Sequence, residues 1–173
     1  MKTVAAKVLL VTGGSRGIGA ACCRRASAQG WDVAVNYTRD AAAAERVAAD
    51  VRARGRRAIT VAADVADEAQ VLAMFRRIDT ELGPLDALVN NAGVVDQPQR
   101  VQDMTVARLR RMFDTNILGS FLCAREAIRR MHGRGGGIVN LSSAAARLGS
   151  PGQYVDYAAA AAAVHAPDGF ART

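Results

Sequence analysis

With 173 residues, half of them hydrophobic, and one low-complexity run at residues 158–163, the chain has the mass for a single domain spanning residues 1–173 with a real core. No apolar run is long enough to span a bilayer and no signal-peptide pattern opens the chain, so we expect a soluble, cytoplasmic protein without a membrane partner. The net charge of +7 raises nucleic acid as a partner, but the arginines fall in pairs (Arg24-Arg25, Arg56-Arg57, Arg76-Arg77, Arg110-Arg111, Arg129-Arg130) in or beside predicted helices without interleaved aromatics, which reads as solvated outer faces.

In chain order, Val8-Leu9-Leu10-Val11 reads as a strand buried on both faces. Thr12-Gly13-Gly14-Ser15-Arg16-Gly17-Ile18-Gly19 follows, just before a helical pattern over Ile18–Gln29 capped by Gly30. Glycines at this junction permit a tight turn and close approach of a pyrophosphate, with the helix N-terminus presenting free N–H groups to the anion. We read it as a phosphate cradle. Cys22, Cys23 and Cys123 have no partner at ligand spacing, so neither a disulfide framework nor a metal site is expected. Trp31–Asn36 is a second strand, Ala41–Arg54 a second helix, and Ala58–Ala62 a third strand. Asp67 with Gln70 resembles a capping box, after which Val71, Met74, Phe75, Ile78 and Leu82 recur at helical spacing. Leu85–Val89 is a fourth strand leading into Asn90-Asn91-Ala92-Gly93. A long helix is expected from about Thr105 to Met131, a fifth strand within Gly135–Leu141, and a last helix from near Gln153. Strand and helix thus alternate, which predicts a Rossmann-like, doubly wound parallel sheet in a three-layer α/β/α arrangement. Ligands of such sheets sit at the carboxyl ends of the strands.

The motifs at those ends carry a resemblance. Thr-Gly-x-x-x-Gly-x-Gly at the first strand, Asn90-Asn91-Ala92-Gly93 after the fourth, Asn116-Ile117-Leu118-Gly119 and Tyr157 make the chain similar to the short-chain dehydrogenase/reductase family. The resemblance implies an NAD(P)-dependent oxidoreductase that moves hydride between the cofactor and a small-molecule carbonyl/alcohol substrate. It assigns cofactor binding to Gly13, Ser15, Arg16, Gly17, Ile18, Gly19, Arg39, Asp64, Val65, Asn90, Ala92 and Gly93. Asp64 would accept a hydrogen bond from the adenine amino group, although the residues alone also read it as a cap before a helix. Asn90 would brace the sheet. A carboxylate at the end of the second strand would select NAD(H); Tyr37 stands there instead, and Arg16 and Arg39 can pair with a 2′-phosphate, so NADP(H) is favoured over NAD(H). Asp40 reads as the N-cap of the next helix.

The implied catalytic residues are Asn116, Ser143 and Tyr157, with Ser142 as the alternative serine. Asn116 interrupts the apolar stripe of Leu109, Met112, Phe113, Ile117 and Phe121, where a buried amide needs partners. A phenol, with a reference pKa of ~10, is a poor acid/base at neutral pH until a nearby cation favours phenolate. The family places a Lys four residues after the Tyr; here that residue is Ala161. A cation ~4 Å away contributes about 4 kcal/mol at an effective dielectric of about 20, roughly a thousandfold in acidity. Residues 1–157 are family-like and 158–173 form a divergent tail, and the family normally continues for a further strand-helix-strand. The expectation is therefore a C-terminally truncated member lacking the last strands, with a catalytically impaired nucleotide-binding remnant as the alternative function. The fifth strand would then be an open edge. Self-association is expected through the long helix 105–131.

Overall fold

The computed structural model describes residues 6–165. Five parallel strands, β1 (Val8–Val11), β2 (Asp32–Tyr37), β3 (Ala58–Ala62), β4 (Ala87–Asn90) and β5 (Gly137–Asn140), form one sheet in the order β3-β2-β1-β4-β5. The order reverses between β1 and β4, both of which pair with registers Leu9 to Ala87 and Val11 to Val89. That reversal opens a crevice at the carboxyl ends of the strands.

The run of apolar residues in β1 serves two layers. Val8 and Leu10 point into a core with α3 (Glu68–Glu81) and α5 (Gly119–Met131), where they meet Met74, Phe75, Ile78, Leu122 and Ala127. Leu9 and Val11 point the other way, onto Cys23 of α1 (Gly17–Ala28) and Ala44, Val47 and Val51 of α2 (Ala41–Arg52). The three-layer expectation holds. Burial pushes the thiols of Cys23 and Cys123 up to about 12, so neither is a nucleophile in the folded chain.

Helix starts follow the capping residues. Asp40 accepts from the Ala43 N–H at 2.8 Å and Asp67 from the Gln70 N–H at 3.1 Å. Gln70 does not close the expected reciprocal box, because its Oε1 takes the N–H of Asp64 instead. The single helix expected over 105–131 is also modified. Thr105 caps α4 (Val106–Phe113), and a π turn over Asp114–Leu118 separates it from α5. The wider turn lets the Asn116 amide reach the backbone of Val94, twice, at 2.8 Å. Two short elements were not legible in the pattern: a 3₁₀ turn at Val101–Asp103 and α6 (Ala145–Leu148). The last described helix is α7 (Val155–Ala163).

Most of the paired arginines do lie on outer faces, in ion pairs such as Arg24 with Asp50 and Arg77 with Glu81. Arg56 and Arg57 depart from that reading, since both bind the carboxylate of Asp32, which is 1% exposed. Among the described residues β5 is one of the sheet's two edges, β3 being the other, with Val139 57% exposed, and no helix is long and apolar enough to cross a membrane.

Gly119, at the start of α5, packs against Val65. A Cβ there would stand 2.6 Å from Cγ2 and 3.1 Å from the carbonyl oxygen of Val65. Gly119→Ala is expected to cost about 1–3 kcal/mol through overpacking. Urea melts of Gly119→Ala and of Gly119→Ala with Val65→Ala should show partial recovery in the double variant; equal losses in both would contradict the contact.

Candidate active site

The glycine loop is held from two sides. The Thr12 hydroxyl accepts the N–H groups of Asn91 and Ala92, each at 3.0 Å. Asn91 returns its amide to the carbonyls of Thr12 at 2.8 Å and Gly13 at 3.0 Å. On the other side Asn36 accepts the Gly13 N–H at 3.1 Å and donates to the carbonyls of Val61 at 3.2 Å and Ala63 at 3.0 Å. The ends of β1, β2, β3 and β4 are thereby tied together. Gly13 and Gly17 adopt φ of +61° and +53°. A Cβ on Gly19 would lie 2.5 Å from both the Asn91 amide and the Gly13 carbonyl oxygen, so only glycine lets the helix begin this close to the loop.

The resulting helix N-terminus opens outward. Arg16 precedes α1 in extended conformation, without a side-chain cap, and is exposed together with Gly17 and Ile18, while Ser15 is half-buried. The first N–H groups of the helix thus keep their hydrogen-bonding capacity for an anion. Arg39 is exposed beyond β2, and among the described residues neither Arg16 nor Arg39 has an ion pair. The carboxylate of Asp40 is spent on its own helix cap. Asp64, half-buried after β3, accepts the Ala66 N–H at 3.0 Å through Oδ1, so the local cap and an available second oxygen coexist. Val65 is buried beside it against Gly119.

From this cradle a cleft of about 210 Å³ runs toward α7. Ile18, Asn91, Ala92 and Gly93 line it together with Asn116, Ser142, Tyr157, Ala160, Ala161 and Val164. Asn90 stands behind it, buried, donating to the Ser120 carbonyl at 3.1 Å and to Asn140 Oδ1 at 2.9 Å. Tyr157, Asn116, Asn91 and Ile18 of the glycine loop therefore share one cavity. The serines divide. Ser142 lines the cleft, but its hydroxyl donates to the Ala161 carbonyl at 2.9 Å. Ser143, preferred from the sequence, is not among the lining residues; its Oγ accepts the Ala145 N–H at 3.2 Å, which leaves its proton free. Among the described residues no lining residue is charged, and the position expected to carry a cation is Ala161.

Four side chains were missed in the sequence. Asn91 stands in the Asn90–Gly93 motif with no role of its own assigned to it, yet it is the clamp of the loop. Asn36 is a polar residue in an apolar strand, a signal that pointed to this role. Arg108 and Asp156 form a buried ion pair, with Nε to Oδ2 at 2.8 Å and Nη2 to Oδ1 at 3.3 Å. They lie 48 positions apart, at a spacing that carries no motif.

Comparison with known proteins matches this geometry. The sequence profile of the short chain dehydrogenase family covers residues 7–171. The chain belongs to the short-chain dehydrogenase/reductase family. Among its relatives, the uncharacterized oxidoreductase YgfF of Escherichia coli is 49% identical over 161 residues, covering 91% of this chain and 65% of its own length. The 3-oxoacyl-(acyl-carrier-protein) reductase FabG of Staphylococcus aureus is 38% identical, covering 91% of this chain and 64% of its own. A short chain dehydrogenase from Burkholderia cenocepacia, solved in complex with NADP, superposes with a TM-score of 0.86 at 39% identity, over 91% of this chain and 63% of that one. This member thus spans about two thirds of the length of the relatives it matches.

Burial alone would push the Asp156 carboxyl up, but the Arg108 guanidinium and the Tyr157 N–H hold it below the usual carboxylate range. Its contribution to stability is full above the unfolded-state value of about 3.9 and is lost as pH falls through the lower folded value. Asp156→Asn is expected to lose about 3 kcal/mol or more at pH 7 by stranding the guanidinium. Thermal melts from pH 7 to pH 3 should show the gap between wild type and variant closing in acid. A gap independent of pH would contradict the assignment.

Proposed function

We propose that the cleft binds NADP(H) and serves hydride transfer between that cofactor and a carbonyl/alcohol substrate. The observation that carries the reading is continuity: Asn91, which clamps the glycine loop, lines the same cavity as Tyr157. The cradle residues Gly13, Ser15, Gly17, Ile18 and Gly19 would take the pyrophosphate, with Asn90, Ala92 and Gly93 shaping the floor beside the ribose. Asp64 would hold the adenine, with Val65 packed beside it. Unpaired Arg16 and Arg39, with Asp40 engaged in its cap, support the 2′-phosphate over a free 2′-hydroxyl. The relative solved with NADP is in keeping with that choice.

The nicotinamide, when bound, supplies or accepts the hydride. Tyr157 is the group that would deliver a proton to the carbonyl oxygen or take it from the alcohol. Ser143, with an uncommitted hydroxyl proton, would polarise that oxygen once it turns into the cleft, and Asn116 fixes the Val94 segment that forms the wall. Val106 and Leu118, exposed within 105–131, support self-association through that segment. A second reading has its own observation: Ala161 lines the cleft at the position where the family carries its Lys, so this chain would hold nucleotide and turn over poorly.

Ligand-dependent melting tests the cofactor. At a hundredfold excess over its Kd, NADPH should stabilise the chain by about 2.7 kcal/mol. NADH at the same concentration should give a clearly smaller shift, and Arg16→Ala with Arg39→Ala should bring the two together. Equal shifts in the wild type, or none, would overturn the proposal. Turnover tests the chemistry. Ala161→Lys should raise carbonyl reduction by up to roughly a thousandfold, the worth of a cation beside the phenol. Unchanged turnover with intact NADPH binding would favour the nucleotide-holding reading.

A further inference from the structure

Arg108 lies in α4, two thirds of the way along the chain, and is 7% exposed, while its partner Asp156 is 3% exposed. A buried ion pair is poor evidence for stability, because the cost of removing two charges from water is of the order of the attraction regained. Apolar residues would fill that volume as well. What the pair does supply is geometry. The guanidinium is a planar fork with five donors, and here every branch is occupied: Nε and Nη2 on Asp156, Nη1 on the Gln97 carbonyl at 2.7 Å and on Gln99 Oε1 at 3.1 Å.

Each contact leads toward the cleft. Asp156 Oδ1 accepts the Tyr157 N–H at 2.9 Å, so the carboxylate that Arg108 grips also fixes the first turn of α7. Gln97 and Gln99 follow Val94 and Val95, which line the cavity, and the Gln99 N–H donates to the Gln153 carbonyl at 2.8 Å just before α7. Val94 is itself pinned by Asn116. One side chain therefore joins α4, the segment walling the cleft and the helix that carries the phenol.

We propose that Arg108 is a positioning residue, setting through Asp156 the placement of Tyr157 against the Val94–Gln99 wall. The inference rests on Tyr157 being the proton-transfer group. The cradle lies outside this linkage: Thr12, Asn36 and Asn91 hold it without Arg108. Loss of the fork should then disturb the phenol while leaving nucleotide binding alone.

The test is the phenol's own signal. The chain contains three tyrosines, Tyr37, Tyr154 and Tyr157, which can be labelled with ¹³C at Cζ and assigned by single Tyr→Phe variants. Two variants are compared with wild type. Arg108→Lys keeps the charge that faces Asp156 and loses the fork; Arg108→Gln with Asp156→Asn removes both charges and keeps the shape. In both, the Tyr157 resonance should shift and broaden, Tyr37 should stay in place, and the affinity for NADPH should remain within about twofold. In an Ala161→Lys background, kcat should fall by up to ~10²-fold with the KM for NADPH unchanged. Should the double variant fail to fold, Arg108→Lys decides. A folded variant with Tyr157 at its wild-type position would overturn the inference, leaving Arg108 as packing. Absence of turnover in Ala161→Lys would count instead against the hydride-transfer reading, and the resonance would still decide the role of Arg108.

Discussion

The close approach of β1 and β4 at their carboxyl ends is the constraint on which the rest of the site depends. Thr12 and Asn91 exchange four hydrogen bonds with each other and their neighbours across it, between residues about eighty positions apart. The strand order reverses here, so no crossover helix fills the gap and the loops on either side must satisfy each other's polar groups. Once Asn91 is committed to the carbonyls of the glycine loop, the loop cannot relax outward. Gly19 then has no room for a side chain, and the N-terminus of α1 is left facing the crevice.

A second tier of contacts fixes the far wall. Asn116 in its π turn holds Val94, Arg108 holds Gln97 and Gln99, and Asp156 holds the first turn of α7. These groups are buried, polar and paired; among the described residues no buried side-chain nitrogen or oxygen lacks a partner. The glycine loop is braced from both sides. Among the described residues the cleft that presents Tyr157 is lined by no charged side chain, and the Ser142 hydroxyl is turned onto the Ala161 carbonyl.

The sheet and its layers were legible because they rest on local patterns: four apolar residues in β1, Asp40 and Asp67 as caps, and a polar Asn116 on an apolar stripe. The cradle was legible because its glycines meet steric demands within a few residues. What escaped the sequence is non-local. The Asn91 clamp, the Asn36 bridge and the Arg108–Asp156 pair join positions far apart, and each residue taken alone resembles a turn, a strand irregularity or a solvated helix charge. The π turn escaped for a related reason, since its one extra residue barely alters the helical spacing. The choice between Ser142 and Ser143 turns on hydroxyl orientation, which spacing does not encode.

One cleft from the glycine loop to Tyr157 that accepts a nicotinamide dinucleotide is the reading on which the proposed function stands. Amide hydrogen exchange with and without NADPH tests it most directly. Exchange should slow at Gly17 to Gly19, at Asn91 to Gly93 and in the first turn of α7, in one concentration-dependent step. Protection confined to the glycine loop, with Asn91 to Gly93 and α7 unaffected, would contradict a single cleft.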